Sequence, residues 1–440
     1  MRAIRRLLVA GLVLITLAPP AFPQLPGGPK YPSGASAPAA PREEKPPEVE
    51  VKPTVPALPT LRLGAMLPLT GPAAWFGKEM RQGLELAVAD LNAARAANAA
   101  DSIRGEEEAV TLLRHDADQG LPFAPATLAL ETADVKSMDA KKAADEFNRL
   151  AGMGAIAVFT ASVSPTLAIQ PLALARNVLV VHQGFVDSRL LAPSRVLVHT
   201  RPSIATYADA LVARAEEEKL RQLGLLAAGD EFGKALRAAV SARWRERGRT
   251  LAVEESLTPE ASDLASRLRH VTRLAPDALV LGYRGTELGD MAARLREVGY
   301  QGKLYLLDDD VEPRLAAGPA LGNAVIVSEA FDAKAGARSE RFAEGYKKKF
   351  GDAPSRYAAS AYDAAVLVAA GIRAGTAGGR GVPGGARLRE VLLGLRDVPS
   401  LYGGPLTLRT DGALARPLAL FRVEGMKLVF LKALLPAKPS

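Results

Sequence analysis

Along the chain, short apolar runs alternate with longer stretches in which apolar residues return every three to four positions. The first run, Leu63–Leu67, is closed by Pro68, and Thr70-Gly71-Pro72 behind it is turn chemistry. From Gly77 onward Leu84, Val88 and Leu91 recur at i, i+4 and i+7, which predicts an amphipathic helix. The alternation continues with strands at Val110–Arg114, Ala155–Phe159 and Val178–Val181, and helices at Ala140–Leu150 and Pro165–Ala175. The interval Leu121–Lys136 breaks this rhythm and reads as an inserted loop.

A second series opens with a strand at Val196–Val198 and a helix at Tyr207–Glu217. Strands follow at Leu223–Ala227, Leu251–Glu254, Ala278–Leu281, Leu304–Leu307 and Ala324–Val327. The helices between them run from Gly233 to about Arg245, over Ser262–Thr272 and over Glu287–Val298. Phe342, Tyr346 and Phe350 mark another helix, Tyr357–Ile372 a long apolar one, and Leu388–Leu395 a last one. Gly375–Gly385 lacks GxxxxGK and follows a helix, so it reads as a flexible link and not a phosphate loop. The pattern then turns antiparallel, with strands at Leu406–Leu408, Leu418–Val423 and Lys427–Leu431, the last two meeting at the turn Glu424-Gly425. Alternating strands and helices predict an α/β fold with two doubly wound, Rossmann-like units and a β-rich tail.

A length of 440 residues and a 48% hydrophobic content allow two sizeable cores. Residues 1–23 read as a signal peptide. Arg2, Arg5 and Arg6 precede the apolar Leu7–Ala18, which is too short to span a bilayer, and cleavage is expected near Ala21, with an uncleaved anchor as the alternative. Residues 24–60 form a Pro-rich linker that cannot bury enough apolar surface to fold. The absence of cysteine removes disulfides, thiolate metal sites, cysteine nucleophiles and N-terminal lipidation. Such an exported, tethered chain is expected in a bacterial periplasm. The charge of +8 is dispersed, with no basic run interleaved with aromatics, so no nucleic-acid partner is expected. His115, His182, His199 and His270 are scattered without metal-ligand spacing, and the chain shows no GxSxG and no P-loop. Neither a metal, a cofactor nor an enzymatic activity is expected.

The candidate chemistry begins with Trp75 and Phe76, adjacent rings placed in the loop between the first strand and the first helix. Open α/β sheets bind ligands at such carboxyl-end loops, so the two rings are a candidate ligand wall, with core packing as the alternative.

The region from about Leu61 to Lys432 resembles the leucine/isoleucine/valine-binding family, the type I solute-binding receptors of ABC transporters. The resemblance is carried by Met66-Leu67-Pro68-Leu69-Thr70-Gly71-Pro72 with Gly77, by Gly229-Asp230-Glu231-Phe232-Gly233, and by Pro276-Asp277-Ala278 before Gly282. It continues in Phe342, Tyr346, Phe350-Gly351, Tyr357 and Tyr362-Asp363-Ala364, and in Gly404-Pro405-Leu406 with Asp411-Gly412. It implies two lobes joined by three hinge crossings that close on a ligand. The crossings are expected near His199–Thr200, Ser328–Phe331 and Tyr402–Gly404. Lobe 1 would comprise 61–199 and 332–401, lobe 2 would comprise 200–331 and 402–432, and 433–440 would be a tail.

The resemblance also implies site residues. Phe76 falls where the family sets a tyrosine against the ligand, with Trp75 beside it. The serine that binds the ligand carboxylate matches Val163, flanked by Ser162 and Ser164. Gly184 fits the next contact loop, where Val186 replaces a hydroxyl residue. On the second lobe Phe232 matches an aromatic shield, Tyr283 or Arg284 another contact, and Asp308 the acid that pairs with the ligand ammonium. A solvated acidic turn and a calcium loop are the other readings of Asp308-Asp309-Asp310. The implied protein is a monomeric periplasmic receptor for an amino acid, amide, or aromatic or apolar acid, with an ABC permease in the inner membrane as its partner. An interaction or regulatory protein with a degraded pocket on the same fold is the alternative.

Overall fold

The computed structural model describes residues 60–71, 73–104, 126–136, 139–284, 286–307, 318–329, 331–377, 381–425 and 427–434. The expected signal peptide, the expected linker apart from Thr60, which begins the first strand, the strand expected at Val110–Arg114 and the candidate Asp308 lie outside the described residues.

The first half of the chain builds a parallel sheet from β1 (Thr60–Leu67), β2 (Thr127–Asp134), β3 (Ala155–Thr160), β4 (Leu179–His182) and β5 (Leu197–His199), in the order β2-β1-β3-β4-β5. Among the described residues its first helices are α1 (Ala74–Arg104), α2 (Ala140–Gly152) and α3 (Val163–Arg176). Side chains alternate across each strand. Leu63, Leu67, Phe159 and Val181 therefore feed one apolar cluster, and Met66, Val158 and Val180 feed the cluster on the opposite face.

The second sheet has the order β12-β11-β10-β9-β8-β6-β7. Its strands are β6 (Leu223–Ala227), β7 (Val253–Ser256), β8 (Ala278–Gly282), β9 (Lys303–Leu307), β10 (Val325–Glu329), β11 (Leu418–Glu424) and β12 (Lys427–Leu434). The helices α4 (Ile204–Glu217), α5 (Glu231–Glu246), α6 (Leu264–Arg273) and α7 (Thr286–Glu297) belong with it. β6 to β10 are parallel, whereas β11 and β12 form an antiparallel hairpin with Gly425 at positive φ in its turn. The same alternation splits this lobe's core, with Leu225 and Val280 on one face and Leu226 and Leu281 on the other.

After β10 the chain returns to lobe 1 as α8 (Ala337–Phe350), α9 (Arg356–Thr376) and α10 (Gly385–Gly394). Helix α9 is buried along most of its length and lies close against α1. A Cβ at Gly83 would come within 2.2 Å of the Ala358 carbonyl oxygen, so only glycine permits this approach.

Four expectations are corrected. β2 lies inside the interval read as an insertion: Thr127–Asp134 pairs with β1 along its whole length, and Asn92 of α1 brackets Leu128 with two hydrogen bonds. The Leu128/Leu130 alternation is short and half-buried, as suits an edge strand, and Val110–Arg114 masked it by offering a more apolar run. Leu406–Leu408 is no strand and makes only isolated bridges. The Gly-rich tract is shorter than expected, because Gly375 still belongs to α9, which ends at Thr376, and Gly385 opens α10. Finally, the third crossing sits later than Tyr402–Gly404. Leu406, Leu408 and Leu414 pack in the lobe 1 core, and Leu414 N–H donates to His199, so the chain leaves this lobe at Arg416-Pro417.

Candidate functional site

Both sheets carry the same switch. Strand order reverses between β1 and β3 in lobe 1 and between β6 and β8 in lobe 2. The crevice outside the carboxyl ends of such strands is where doubly wound sheets bind ligands. Four chain segments emerge there: Pro68–Phe76, Ala161–Ser164, Ala228–Phe232 and Tyr283–Arg284.

Trp75 and Phe76 sit in the first turn of α1, which begins at Ala74, and not in the preceding loop. Their rings meet edge-on at 5.3 Å, and each meets Tyr357 at the start of α9, at 5.3 Å for Trp75 and 5.7 Å, stacked, for Phe76. Phe76 is buried in the lobe 1 core, whereas Trp75 is half-buried at its edge. Two guanidinium groups flank the same tyrosine, Arg356 at 4.8 Å and Arg201 at 5.5 Å from the ring centroid. Cations over aromatic faces are held by the ring quadrupole, so this wall is aromatic and positively charged together. Asp134 anchors the loop before α1, accepting from the Leu69 and Thr70 amides and the Thr70 hydroxyl. Partial burial works to raise its pKa, but these hydrogen bonds outweigh that and hold the carboxyl below its ordinary value.

Ser162 is the N-cap of α3, and its side chain makes no capping bond. Val163 turns into the core, as does Val186, so neither valine faces the crevice. Gly184 permits a close approach, since a Cβ there would meet the Ala161 carbonyl oxygen at 2.0 Å. Gln183 beside it is fully buried, and neither its amide nitrogen nor its amide oxygen finds a partner among the described residues. Unpaired buried amides are costly, and Gln183 carries such an unsatisfied donor and acceptor among the described residues. His182 and His199, ring centroids 5.9 Å apart, lie beneath. Burial pushes them down to about 3 and about 4, so both are neutral at pH 7.

In lobe 2, Phe232 packs edge-on against Phe185 of lobe 1 at 5.4 Å, and Arg284 lies over both rings. Tyr283 is not brought to the crevice: it is buried in the lobe 2 core and its hydroxyl donates to the Leu257 carbonyl. Arg284 takes the exposed position, paired with Asp230 at 2.8 Å. Between the lobes, Ser164 Oγ donates to Glu231 Oε1 at 2.7 Å, and Arg189 Nη2 donates to the same oxygen at 3.1 Å. Among the described residues no group of three or more His, Cys, Asp or Glu is placed to hold a metal ion.

Residues 60–427 match the family described as periplasmic binding protein. The chain belongs to the periplasmic binding protein family. The leucine binding protein LivK of Thermotoga maritima is similar over 86% of this chain and 99% of its own, with a TM-score of 0.68 and 16% identity. A solute binding protein of an ABC transporter from R. palustris, in complex with benzoate, is similar over 87% and 98%, with a TM-score of 0.69 and 17% identity. LivJ of Streptococcus pneumoniae, in complex with isoleucine, is similar over 85% and 99%, with a TM-score of 0.66 and 16% identity. No curated protein matches the chain by sequence. The fold is that of a type I periplasmic binding protein, and these similar structures are of solute-binding proteins, not enzymes.

In this periplasmic binding protein the three crossings meet at one carboxylate, which sequence reasoning missed. Glu329, at the end of β10, receives Arg201 of the first crossing at 2.5 Å and Arg416 of the third at 2.8 Å. Tyr207 donates to it at 2.9 Å, and Arg416 reaches Asp363 of α9 at 3.6 Å. Glu329 and the two arginines are at most 5% exposed. A signal was present: Glu329 is a carboxylate at the end of a buried strand that opens Val-Ile-Val, and both arginines precede a proline.

Proposed function

We propose that this protein is an exported receptor that captures a small organic solute between its two lobes and presents it to an ABC permease. The observation that carries the reading is the pairing of two switch-point crevices, each lined by an aromatic residue and an arginine. The Trp75–Phe76–Tyr357 wall with Arg356 beside it favours an apolar or aromatic acid over a zwitterion. Rings supply apolar contact area, and the Arg356 guanidinium supplies a forked donor for a carboxylate. That a similar protein holds benzoate supports this choice.

The test is a thermal-shift and calorimetric panel of leucine, isoleucine, benzoate, 3,4-dihydroxybenzoate and the matching amides. A ligand at a hundred times its Kd stabilises by about 2.7 kcal/mol, and at least one acid is expected to do so. Stabilisation by no compound of any class would overturn the receptor reading. Trp75→Ala is the variant to use, because Phe76 also holds the core together. A second reading, an interaction or regulatory protein on this fold, is favoured by one observation: Glu231 already occupies the hydroxyl of Ser164.

A further inference from the structure

Glu231 and Ser164 stand at the first turns of two helices, α5 and α3, that belong to different lobes. Helix N-termini attract negative charge, and here the carboxylate comes from the protein. It accepts from Ser164, and Arg189 completes the set. Arg189 is itself fixed, since it is paired at 2.5 Å to the buried carboxylate of Asp187 in the same loop. Beside the polar contacts lies an apolar one: Phe185 of lobe 1 meets Phe232 of lobe 2. Arg284 covers both rings and is anchored by Asp230, so its charge is satisfied in place. One rim of the crevice is therefore bridged by matched polar and aromatic pairs belonging wholly to the chain.

We propose that Glu231, with Ser164 and Arg189, is a built-in clasp that holds the two lobes together without a solute. The Phe185–Phe232 pair is the apolar half of the same clasp. The clasp rests on the lobe geometry and not on the receptor reading, and its test needs no ligand.

The cysteine-free chain makes that test direct. Spin labels placed through Lys141→Cys in lobe 1 and Lys234→Cys in lobe 2, both at exposed positions, report the interlobe distance by pulsed electron resonance. The full-length protein, refolded to remove any carried solute, is expected to give one narrow short-distance peak. Glu231→Ala should move the main peak to longer distance and broaden it, and Arg189→Ala should do so less. Glu231→Gln, which keeps an oxygen for Ser164 but no charge for Arg189, should fall between Glu231→Ala and the parent. Circular dichroism and urea midpoints confirm that each variant is folded. A parent protein already at the long distance, or a Glu231→Ala distribution superimposable on the parent, overturns the clasp. Neither result bears on whether a solute binds, which the ligand panel decides separately.

Discussion

Among the described residues two ionic clusters join the lobes, and burial makes them opposites. At the hinge, Glu329 is 1% exposed and shared between Arg201 and Arg416. At the rim, Glu231 is 16% exposed and Arg189 is 50% exposed. Buried charges repay their desolvation only while every partner is present, so losing one is severe. Exposed pairs gain little, because water and salt compete for both partners. The same chemistry thus makes a permanent fastening in one place and a releasable one in the other. A two-lobed protein that moves needs both: a pivot that does not come apart and a rim that does.

The largest break in this comparison is Glu329→Ala. It leaves Arg201 and Arg416 buried without their carboxylate and should cost about 3–5 kcal/mol in urea denaturation. Glu329→Gln keeps the acceptor for Tyr207 and should cost less. Loss of under about 1 kcal/mol for Glu329→Ala, the range of an exposed pair, would erase the distinction between pivot and rim.

The next effect is pH dependence beside the pivot. His182 and His199 are held near 3 and 4 in the folded protein against an ordinary 6.5, with burial the first cause for each. Between about pH 6.5 and 4 the unfolded chain takes up protons that the folded one refuses, so stability falls as pH falls. Each histidine contributes about 1.4 kcal/mol per pH unit across that window. Stability measured at pH 7 and pH 5 should differ by more in the parent than in His199→Asn, which cannot be protonated. Equal differences would mean that His199 takes up its proton as readily in the folded protein as in the unfolded chain.

What the sequence made legible, and what it hid, follow the same physical division. β1, β3 and β4 each carry apolar residues for two cores, and such buried parallel strands stand out as apolar runs. The short half-buried edge strand β2 does not, and a more apolar run upstream took its place. Trp75, Phe76, Ser164 and Phe232 could be singled out because one local segment carries each: the two rings fall in the first turn of α1, and Ser164 and Phe232 fall at contacts between the lobes. Tyr283 and Arg284 could not be separated, because adjacent residues at a strand's end leave in opposite directions and only packing says which is buried. The Glu329 centre was hidden for a further reason. Its members are 128 and 87 residues apart in sequence, and nothing local to any one of them names the others.

The smallest effect is the most discriminating. Arg189→Ala removes an exposed cation from Glu231 and Asp187, and by the logic of exposed pairs its cost to global stability should stay within about 1 kcal/mol. Asp187 limits how small this can be. It is buried, and without Arg189 its remaining partners are the amides of residues 189 and 190. The double variant Arg189→Ala with Asp187→Asn separates the two contributions. If the clasp itself is nearly neutral for folding, the double variant should recover part of what Arg189→Ala loses, because no uncompensated carboxylate stays behind. Salt gives an independent reading: the parent should lose stability relative to Arg189→Ala as ionic strength rises, since screening weakens only the protein that still has the pair. A loss for Arg189→Ala as large as that for Glu329→Ala, and insensitive to salt, would make the rim a second pivot and leave the molecule no releasable side.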